Sequence, residues 1–397
     1  MGSVAFLEPP STLALPSQRP NTAAETGEAM PREGVDPSDT RLAVSVLTRS
    51  LRLRRGENVI IETWPHNVAL AEEFVVQARR LGLRPMVVYE GERAFFDSQR
   101  LASLADGSAI AAPELAAIAA ADGYVCLPGP ADYTRWSDLP PPRKASLERW
   151  LGTWNRILRD RSVRACYLHA AIPTELTARQ HGVDLAAWRR ESRDASDIDP
   201  GVFRHSARRL VRRLGTGRRV RITHPNGSRL DLQLAGRTPF LEDGCVDADD
   251  LRSGRYWTGV PAGYLITALD ERRAEGRFVA SRASRHRRGV NPGIEWTFHN
   301  GRLISYESQD RSGAFVASYR EAGRERDRPA LLSIGLNPRI HDAPLLEDQG
   351  RGVVALYIGR NEDHGGRTGG SFRDYALLEG ADVTVDGRTL VSAGTPV

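Results

Sequence analysis

Four side chains near the end of the chain are of types that bind divalent metals or carry protons. Glu362, Asp363 and His364 follow one another in the glycine-rich stretch 361–370, and Asp374 comes shortly after it. Carboxylates and imidazoles are ligands of zinc and iron, so these residues form a candidate site for one metal ion. The same pattern is typical of a loop whose charges face water. Both interpretations stay open from the sequence.

A second set of side chains suits the recognition of anions. It consists of a dense run of arginines and one more beside the acidic stretch: Arg282, Arg285, Arg287 and Arg288, then Arg373. Guanidinium groups donate paired hydrogen bonds to carboxylates, so these residues are candidates to hold a peptide C-terminus or acidic side chains. The alternative is that residues 281–288 are a solvated loop. The direction of Arg373 separates the two, because the binding hypothesis needs it to point into a cleft.

The sequence lacks the motifs of several other kinds of active site. Cys126, Cys166 and Cys245 stand far apart without a metal-ligand spacing, which predicts buried, unreactive side chains. The glycine pairs near the C-terminus lack the Gly-Lys-Ser/Thr of a phosphate loop, and no serine stands in a Gly-x-Ser-x-Gly sequence. The sequence therefore predicts neither a catalytic thiol, nor a nucleotide loop, nor a serine hydrolase.

Aromatic residues are candidates for the walls of a groove. We expect Trp150, Trp154, Trp188, Trp257 and Trp296 to be core or groove-wall residues rather than a cofactor site. Tyr256, Trp257 and Tyr264 stand close together and are candidates to line an apolar pocket for a ligand side chain.

The composition predicts a soluble globular protein of two domains. The chain has 397 residues, 40% hydrophobic and 26% charged, and single cores usually stop growing near roughly 250 to 300 residues. No run approaches the roughly 18 apolar residues of a membrane span, and the N-terminus lacks the basic and apolar runs of a secretory signal. We therefore expect a cytoplasmic protein without a membrane partner. The net charge of +5 rests on arginine, since Lys144 is the only lysine, and we expect no nucleic-acid partner.

The first half of the chain alternates strand and helix patterns. Residues 1–38 are rich in Pro, Ser, Thr and Ala without apolar periodicity, which predicts a disordered tail. The next residues predict a helix capped by Asp39 or Thr40. Strands follow over 58–63, 85–89, 123–127 and 164–168, with an amphipathic helix over 67–81. Strands joined through helices by short links predict a parallel sheet with right-handed crossovers.

The second half is predicted to be mostly antiparallel. A basic amphipathic helix over 204–214 precedes it, with its arginines on a solvated face. Asn226-Gly227, Asn300-Gly301 and Asp386-Gly387 each stand between alternating runs, which is a strong signal for a β-hairpin. The sequence thus predicts an N-terminal α/β domain, residues 39–205, with a parallel sheet. A mixed, largely antiparallel α+β domain, residues 206–397, follows it.

The order of several short motifs resembles the thermophilic metallo-aminopeptidase family typified by aminopeptidase T and aminopeptidase S. The resemblance runs from about residue 40 to the C-terminus, and no single piece of it is specific. Its pieces include Gly56-Glu57-Asn58-Val59-Ile60-Ile61-Glu62, Ile172-Pro173-Thr174, Val260-Pro261-Ala262-Gly263, Ile334-Gly335-Leu336-Asn337-Pro338 and Val383-Thr384-Val385-Asp386-Gly387. It implies an aminopeptidase T-like fold, a homodimer, and a two-metal peptidase site in the C-terminal domain.

The resemblance also shows where this chain departs from the family. The positions that it assigns to four metal ligands hold Tyr264, Leu331, Ala355 and Phe372. Leucine, alanine and phenylalanine have no atom that binds a metal, and tyrosine is at best a weak ligand here. Asp374 persists at the position of the closing aspartate, and Glu362 stands near an expected tyrosine ligand. We therefore expect the two-metal centre to be lost and no metal cofactor.

A related branch of this scaffold resembles the ring-cleaving pyridine dioxygenases, which use one iron held by two histidines and an aspartate. That pattern requires His-x-Asp near the C-terminus, and this chain has Phe372-Arg373-Asp374 instead. His341 and His364 are the candidate substitutes, although neither has a partner at a diagnostic spacing.

The leading hypothesis is an aminopeptidase-like protein that binds a peptide or amino-acid-derived ligand in its cleft. It would serve as a peptide-binding or tailoring component of a specialised, natural-product pathway. The expected ligand-binding residues are Tyr264, Arg285, Leu331, Ala355, Phe372, Arg373 and Asp374. The alternative is an active metallo-aminopeptidase or mononuclear iron dioxygenase, whose zinc or iron is held by His341, Glu362, His364 and Asp374. A third hypothesis is a structural partner that dimerises and has no ligand.

Overall fold

The computed structural model describes residues 36–136, 139–287, 289–370 and 372–397, apart from the side chains of Ser108 and Pro141. The predicted tail, residues 1–38, therefore lies almost wholly outside the described residues. The first helix begins at Pro37, and the Asp36 carboxylate accepts a hydrogen bond of 2.8 Å from the Ser38 N–H. The predicted caps Asp39 and Thr40 are thus wrong, because proline at the first helical position already starts the helix before them.

The helices of the described residues are α1 Pro37–Ser45, α2 Val68–Arg80, α3 Glu92–Leu101, α4 Ala112–Ala119, α5 Pro141–Asp160, α6 Glu175–His181, α7 Leu185–Ser196, α8 Pro200–Thr216, α9 Ala248–Arg252 and α10 Ala314–Glu321. The strands are β1 Asn58–Thr63, β2 Arg84–Tyr89, β3 Gly123–Cys126, β4 Arg164–Leu168, β5 Arg219–Thr223, β6 Arg229–Leu234, β7 Phe240–Glu242, β8 Trp257–Val260, β9 Tyr264–Val279, β10 Ser284–His286, β11 Gly289–Asn291, β12 Ile294–His299, β13 Arg302–Ser308, β14 Pro329–Gly335, β15 Val354–Gly359, β16 Arg373–Leu378, β17 Asp382–Val385, β18 Arg388–Ser392 and β19 Thr395–Pro396. Within this part of the chain, no helix combines the length and apolarity needed to cross a membrane.

The N-terminal half forms the predicted parallel sheet, with strand order β2-β1-β3-β4-β8. The run Val59–Ile61 is fully buried, as expected for a strand covered on both faces. Helix α2 covers one face, where Phe74 packs in the same apolar cluster as Val59 and Ile61. The last strand, β8, comes from beyond residue 206, so this sheet includes a segment that sequence reasoning assigned to the second domain.

The C-terminal half forms the predicted antiparallel sheet, centred on the sixteen-residue strand β9. Strand β9 pairs with β6, β7, β12 and β14, and therefore joins the strands before it to those after it. Close pairing requires glycine at Gly276, where φ is +115° and a Cβ would lie 2.1 Å from the Arg229 carbonyl oxygen. The three predicted Asx-Gly turns join β5 to β6, β12 to β13 and β17 to β18, each pair antiparallel.

Helix α8 packs against the inner face of this sheet. Phe203, Ala207, Leu210 and Leu214 recur at helical spacing, and all four are buried in the main apolar cluster of the C-terminal half. The helix begins before the predicted start at residue 204. The predicted domain boundary at 205/206 falls inside it.

Candidate functional site

A cleft of about 840 Å³ lies at the edge of the parallel sheet where the strands end. Glu62, Cys126 and Tyr167 reach it from the carboxyl ends of β1, β3 and β4, and His169 follows directly after β4. The start of β9, at Tyr264, closes the cleft from the antiparallel sheet. In open α/β sheets, ligands bind outside the carboxyl ends of the strands, so this cleft is the candidate functional site.

Aromatic side chains form one wall of the cleft. Trp150 and Trp154 stand one turn apart on α5, and their rings stack at 6.3 Å. The Trp154 ring lies 5.8 Å from that of Trp257, whose indole N–H donates a 3.0 Å hydrogen bond to Asn155 Oδ1. Tyr256 lines the same wall. Tyr256, Trp257 and Tyr264, predicted to line an apolar pocket, therefore all line this cleft.

The floor of the cleft carries two carboxyl groups. Glu62 accepts a hydrogen bond from the Tyr124 hydroxyl, and burial raises its pKa. Glu242 is 8% exposed, and its Oε1 accepts hydrogen bonds from the Thr258 hydroxyl and the Gly244 N–H. Burial raises the pKa of Glu242 to about 7 although these hydrogen bonds act to lower it. Glu242 can therefore gain or lose a proton near neutral pH, and Glu62 holds its proton more tightly than an exposed glutamate does.

The imidazole of His169 lies beside these carboxyls. Burial lowers its pKa to about 3, helped by the positive charge of Arg287, so the ring is neutral at physiological pH. Its Nδ1 has no hydrogen-bond partner among the described residues. The ring lies close to Gly259, where a Cβ would be 3.0 Å from Nε2, so a larger residue there would require the imidazole to shift.

Two of the predicted ligand-binding residues are part of the protein core. Leu331 and Ala355 are each 0% exposed, on the neighbouring strands β14 and β15. They pack in one apolar cluster with Tyr357, and Tyr264 and Tyr375 pack against it. Of the predicted set, Tyr264 lines the cleft, but Leu331 and Ala355 have no surface that a ligand could touch.

Phe372 and Arg373 line a different cavity, of about 650 Å³, on the far side of β16. The Arg373 guanidinium forms an ion pair with Asp363 and donates a 2.9 Å hydrogen bond to the Arg360 carbonyl oxygen. It therefore does not line the cleft directly. It fixes Asp363, which does line it, and although burial acts to raise the pKa of this aspartate, the guanidinium lowers it overall.

The arginine run is largely engaged with carboxylates. Arg285 is bound to Asp342 at 2.8 Å and to Glu347 at 3.3 Å, and Arg282 pairs with Asp342 at 2.9 Å. Arg287 donates a 2.7 Å hydrogen bond to the hydroxyl of Tyr167, which lines the cleft. Arg288 lies outside the described residues. The positive charge of Arg285 is thus balanced by carboxylates of the protein itself.

The residues proposed for one metal ion lie apart from one another. His341 is exposed, and Glu362 is exposed on its loop, whereas His364 lines the cleft 6.0 Å from the Phe240 ring. Asp374 is 0% exposed and accepts a 2.6 Å hydrogen bond from the Tyr306 hydroxyl. Among the described residues, no group of three or more His, Cys, Asp or Glu side chains has the geometry to hold a metal.

Comparison with solved structures identifies the scaffold. AmpT from Thermus thermophilus superposes with a TM-score of 0.67 at 17% identity, covering 91% of this chain and 99% of that chain. The chain has an aminopeptidase T-like fold. The 2,5-dihydroxypyridine dioxygenase from Pseudomonas putida KT2440 is also similar, with a TM-score of 0.59 at 17% identity, over 90% of this chain and 96% of that chain. No family model matches the sequence, and no curated protein matches it.

The residues of this aminopeptidase T-like fold do not fit a two-metal centre. The side chains of Leu331 and Ala355 offer no donor atom and are enclosed by apolar neighbours. The hydroxyl of Tyr357 already donates a 2.6 Å hydrogen bond to Asp348. Two metal ions would need several oxygen or nitrogen ligands at this face, and the side chains there are packed against each other instead.

Sequence reasoning missed most polar residues of the cleft: Glu62, His169, Glu242 and Gln349. Glu62 and His169 had a usable signal, since both stand at or just after the end of a predicted parallel strand. Glu242 and Gln349 had none, because strands far away in sequence bring them to the cleft.

Proposed function

We propose that this protein binds a peptide or an amino-acid-derived ligand in the aromatic cleft. It would act as a peptide-binding or tailoring component of a specialised, natural-product pathway. The observation that carries the proposal is the combination of an apolar wall of tryptophans with a buried carboxyl, Glu242, and a partly buried one, Glu62, at the edge of the parallel sheet. Small-molecule sites are mostly apolar with a few converging polar groups, and this cleft has that composition.

The apolar wall favours a ligand with a hydrophobic side chain. Trp150 and Trp257 are partly exposed and line the cleft, Trp154 supports them from behind at 4% exposure, and Leu151 adds an aliphatic contact at the rim. Such side chains bind hydrophobic amino-acid side chains through burial of apolar area. A peptide residue with an aromatic or branched aliphatic side chain therefore suits the wall.

The face of β14 and β15 that carries Leu331 and Ala355, two of the positions that the resemblance assigns to metal ligands, supports binding without metal-dependent hydrolysis. It is filled by the apolar cluster of Leu331, Ala355 and Tyr357, which leaves no place for two bridged ions. A protein that must hold a peptide intact gains from such a change. We expect elemental analysis of protein purified without chelators to find well below one equivalent of zinc, manganese, cobalt or iron. Near-stoichiometric metal would contradict the proposal.

A calorimetric titration with hydrophobic dipeptides tests the binding site. Leu151 and Leu101 both lie on helices and are 46% and 86% exposed, but Leu151 lines the cleft and Leu101 does not. Replacing Leu151 by glutamine removes part of the apolar contact, worth about 1 kcal/mol, which is roughly a fivefold weaker affinity. The matched variant Leu101→Gln should bind as the parent does.

The dipeptides Phe-Gly, Trp-Gly and Leu-Gly make a suitable panel for this titration. Saturable binding of at least one of them, weakened by Leu151→Gln but not by Leu101→Gln, is the expected result. Absence of binding across the panel would refute the proposed function. Equal effects of the two substitutions would also refute it, because the ligand would then bind outside the aromatic cleft.

A further inference from the structure

Three oxygen-bearing side chains meet where the antiparallel sheet enters the cleft. Glu242 on β7 stands directly opposite Tyr264 on β9, so their side chains share one face of the sheet. On the other side of Tyr264, β14 places Gly335 opposite it. Gly335 packs directly on the backbone of Gln349 and Gly350, since a Cβ there would lie 1.9 Å from the Gly350 carbonyl oxygen. Glu242 thus lies on one side of Tyr264 and, next to Gly335, the backbone of Gln349 lies on the other, and all three residues line the cleft.

These side chains have hydrogen-bonding capacity that the protein itself does not use. Gln349 is 5% exposed, and its Oε1 has no hydrogen-bond partner among the described residues. A buried amide oxygen without a partner is costly, so it marks a place where a donor from outside the chain is missing. Glu242 uses Oε1 for the Thr258 and Gly244 hydrogen bonds, and the Gly259 N–H also donates to its carboxyl; the two carboxylate oxygens offer about four acceptor positions, so capacity remains for a further donor.

We infer that Glu242, Tyr264 and Gln349 bind the free amino group of the ligand in its ammonium form. A primary ammonium has three N–H donors and no acceptor, which matches three oxygens that flank one point of the cleft. This inference rests on the proposed function and adds to it the direction of the bound peptide. The N-terminus points at Tyr264, and the first side chain packs against the tryptophan wall.

The electrostatics of the cleft favour a cation at this point. Arg255 lines the cleft, but its guanidinium is held by Asp250 at 2.6 Å. Asp363 is likewise paired, with Arg373. These two pairs are locally balanced. The remaining charges are Arg287, whose guanidinium lowers the pKa of His169, and, when ionised, the carboxyls Glu62 and Glu242. Of these, Glu242 is the one that lies opposite Tyr264. Ionised Glu242 next to an ammonium forms a charge-assisted hydrogen bond, and nearby aromatic faces add to the attraction.

A pair of probes that differ in one charge tests the assignment. The probes are the tightest-binding dipeptide of the panel above and its N-acetyl derivative, which keeps the side chain but loses the ammonium. Titration calorimetry should show the free dipeptide binding at least about tenfold more tightly than the acetylated one. Glu242→Gln should weaken the free dipeptide about tenfold and change the acetylated one by less than about twofold.

Three further variants make the test specific. Gln349→Met keeps the size of the side chain but removes the unpaired oxygen, and it should weaken only the free dipeptide. The exposed Glu362→Gln is the control and should leave the preference for the free amine unchanged, whereas Glu62→Gln tests whether the amine binds at the other carboxyl of the cleft. Circular dichroism of each variant confirms that it is folded before it is titrated.

The outcomes separate this inference from the function on which it rests. Equal affinity of the free and acetylated dipeptides would overturn the ammonium assignment while leaving a peptide-binding cleft. Loss of the preference in Glu62→Gln rather than in Glu242→Gln would also overturn it, because the amine would then bind at the other end of the floor. Failure of every dipeptide to bind would refute the proposed function itself.

Discussion

Replacing Glu242 by glutamine should make the protein more stable at pH 8 while leaving its stability at pH 4 nearly unchanged. Glu242 has a pKa of about 7 in the folded protein, against an ordinary value of 4.5. Because the folded state holds this proton more tightly than the unfolded chain, ionisation of Glu242 reduces stability as the pH rises from 4.5 through 7. The difference corresponds to about 3 kcal/mol above pH 7, since a tenfold change in an equilibrium constant is about 1.4 kcal/mol.

The surroundings of Glu242 support this size of effect. The side chain is 8% exposed, so water screens its charge little. The nearest ionised group, Asp243, is paired with Arg204 and adds only a small repulsion. Glutamine has nearly the same shape and can still accept the Thr258 and Gly244 hydrogen bonds through its amide oxygen. The substitution therefore removes the charge and one acceptor atom, since the amide NH2 cannot accept the hydrogen bond that the Gly259 N–H donates to the carboxyl.

Urea unfolding at pH 4 and pH 8 measures the effect. The exposed Glu362→Gln variant is the control, and its free energy of unfolding should follow the parent at both pH values. A Glu242→Gln protein that is less stable than the parent at pH 8, or equally shifted at both pH values, would refute the burial argument. If the variant is more stable and binds dipeptides less well, the parent keeps a destabilising carboxyl that binding requires.

Other predictions concern the elements that hold the site. Arg285→Met should lower the free energy of unfolding at pH 8 by about 3 kcal/mol in urea titrations, because it leaves the 0% exposed Glu347 without its cation. An unchanged free energy of unfolding would show that the pair is not buried in solution. Gly335→Ala should destabilise by more than about 2 kcal/mol in the same assay, because its Cβ would overlap the Gly350 carbonyl oxygen. Gly152→Ala, in the middle of α5 with open space around it, should instead stabilise by roughly 0.5 to 1 kcal/mol, and a loss of stability would contradict that assignment.

Local patterns were enough to predict most strands and hairpins. The uninterrupted Val59–Ile61 run could only be a strand buried on both faces, and it stands inside the parallel sheet, between β2 and β3. Asn226-Gly227 and its two counterparts fix their turns because glycine supplies a positive φ that other residues resist. These features depend on neighbours within a few residues, which the sequence displays directly.

Features that depend on distant neighbours could not be predicted in this way. Strand β8 joins β4 across an intervening stretch that includes four α-helices and three strands, and nothing in its four residues specifies that partner. Arg285 was a candidate to bind a ligand, but its partner Glu347 is 62 residues away. Gln349 reaches the cleft only because Gly335 lets two backbones touch. Each case turns on tertiary packing rather than on local pattern.

The tight packing around Leu331 and Ala355 restricts which new activities this protein can acquire in the laboratory. A single change to a metal-binding side chain here would place a polar or charged group among tyrosines and leucines without a metal ion to balance it. Stepwise selection toward a metalloenzyme would therefore have to pass through destabilised variants. The floor of the cleft has no such barrier, because Glu62 and Glu242 are already ionisable and already tolerated. Mutational libraries aimed at the ends of the parallel strands should therefore yield altered specificity or acid–base catalysis sooner than libraries aimed at β14 and β15.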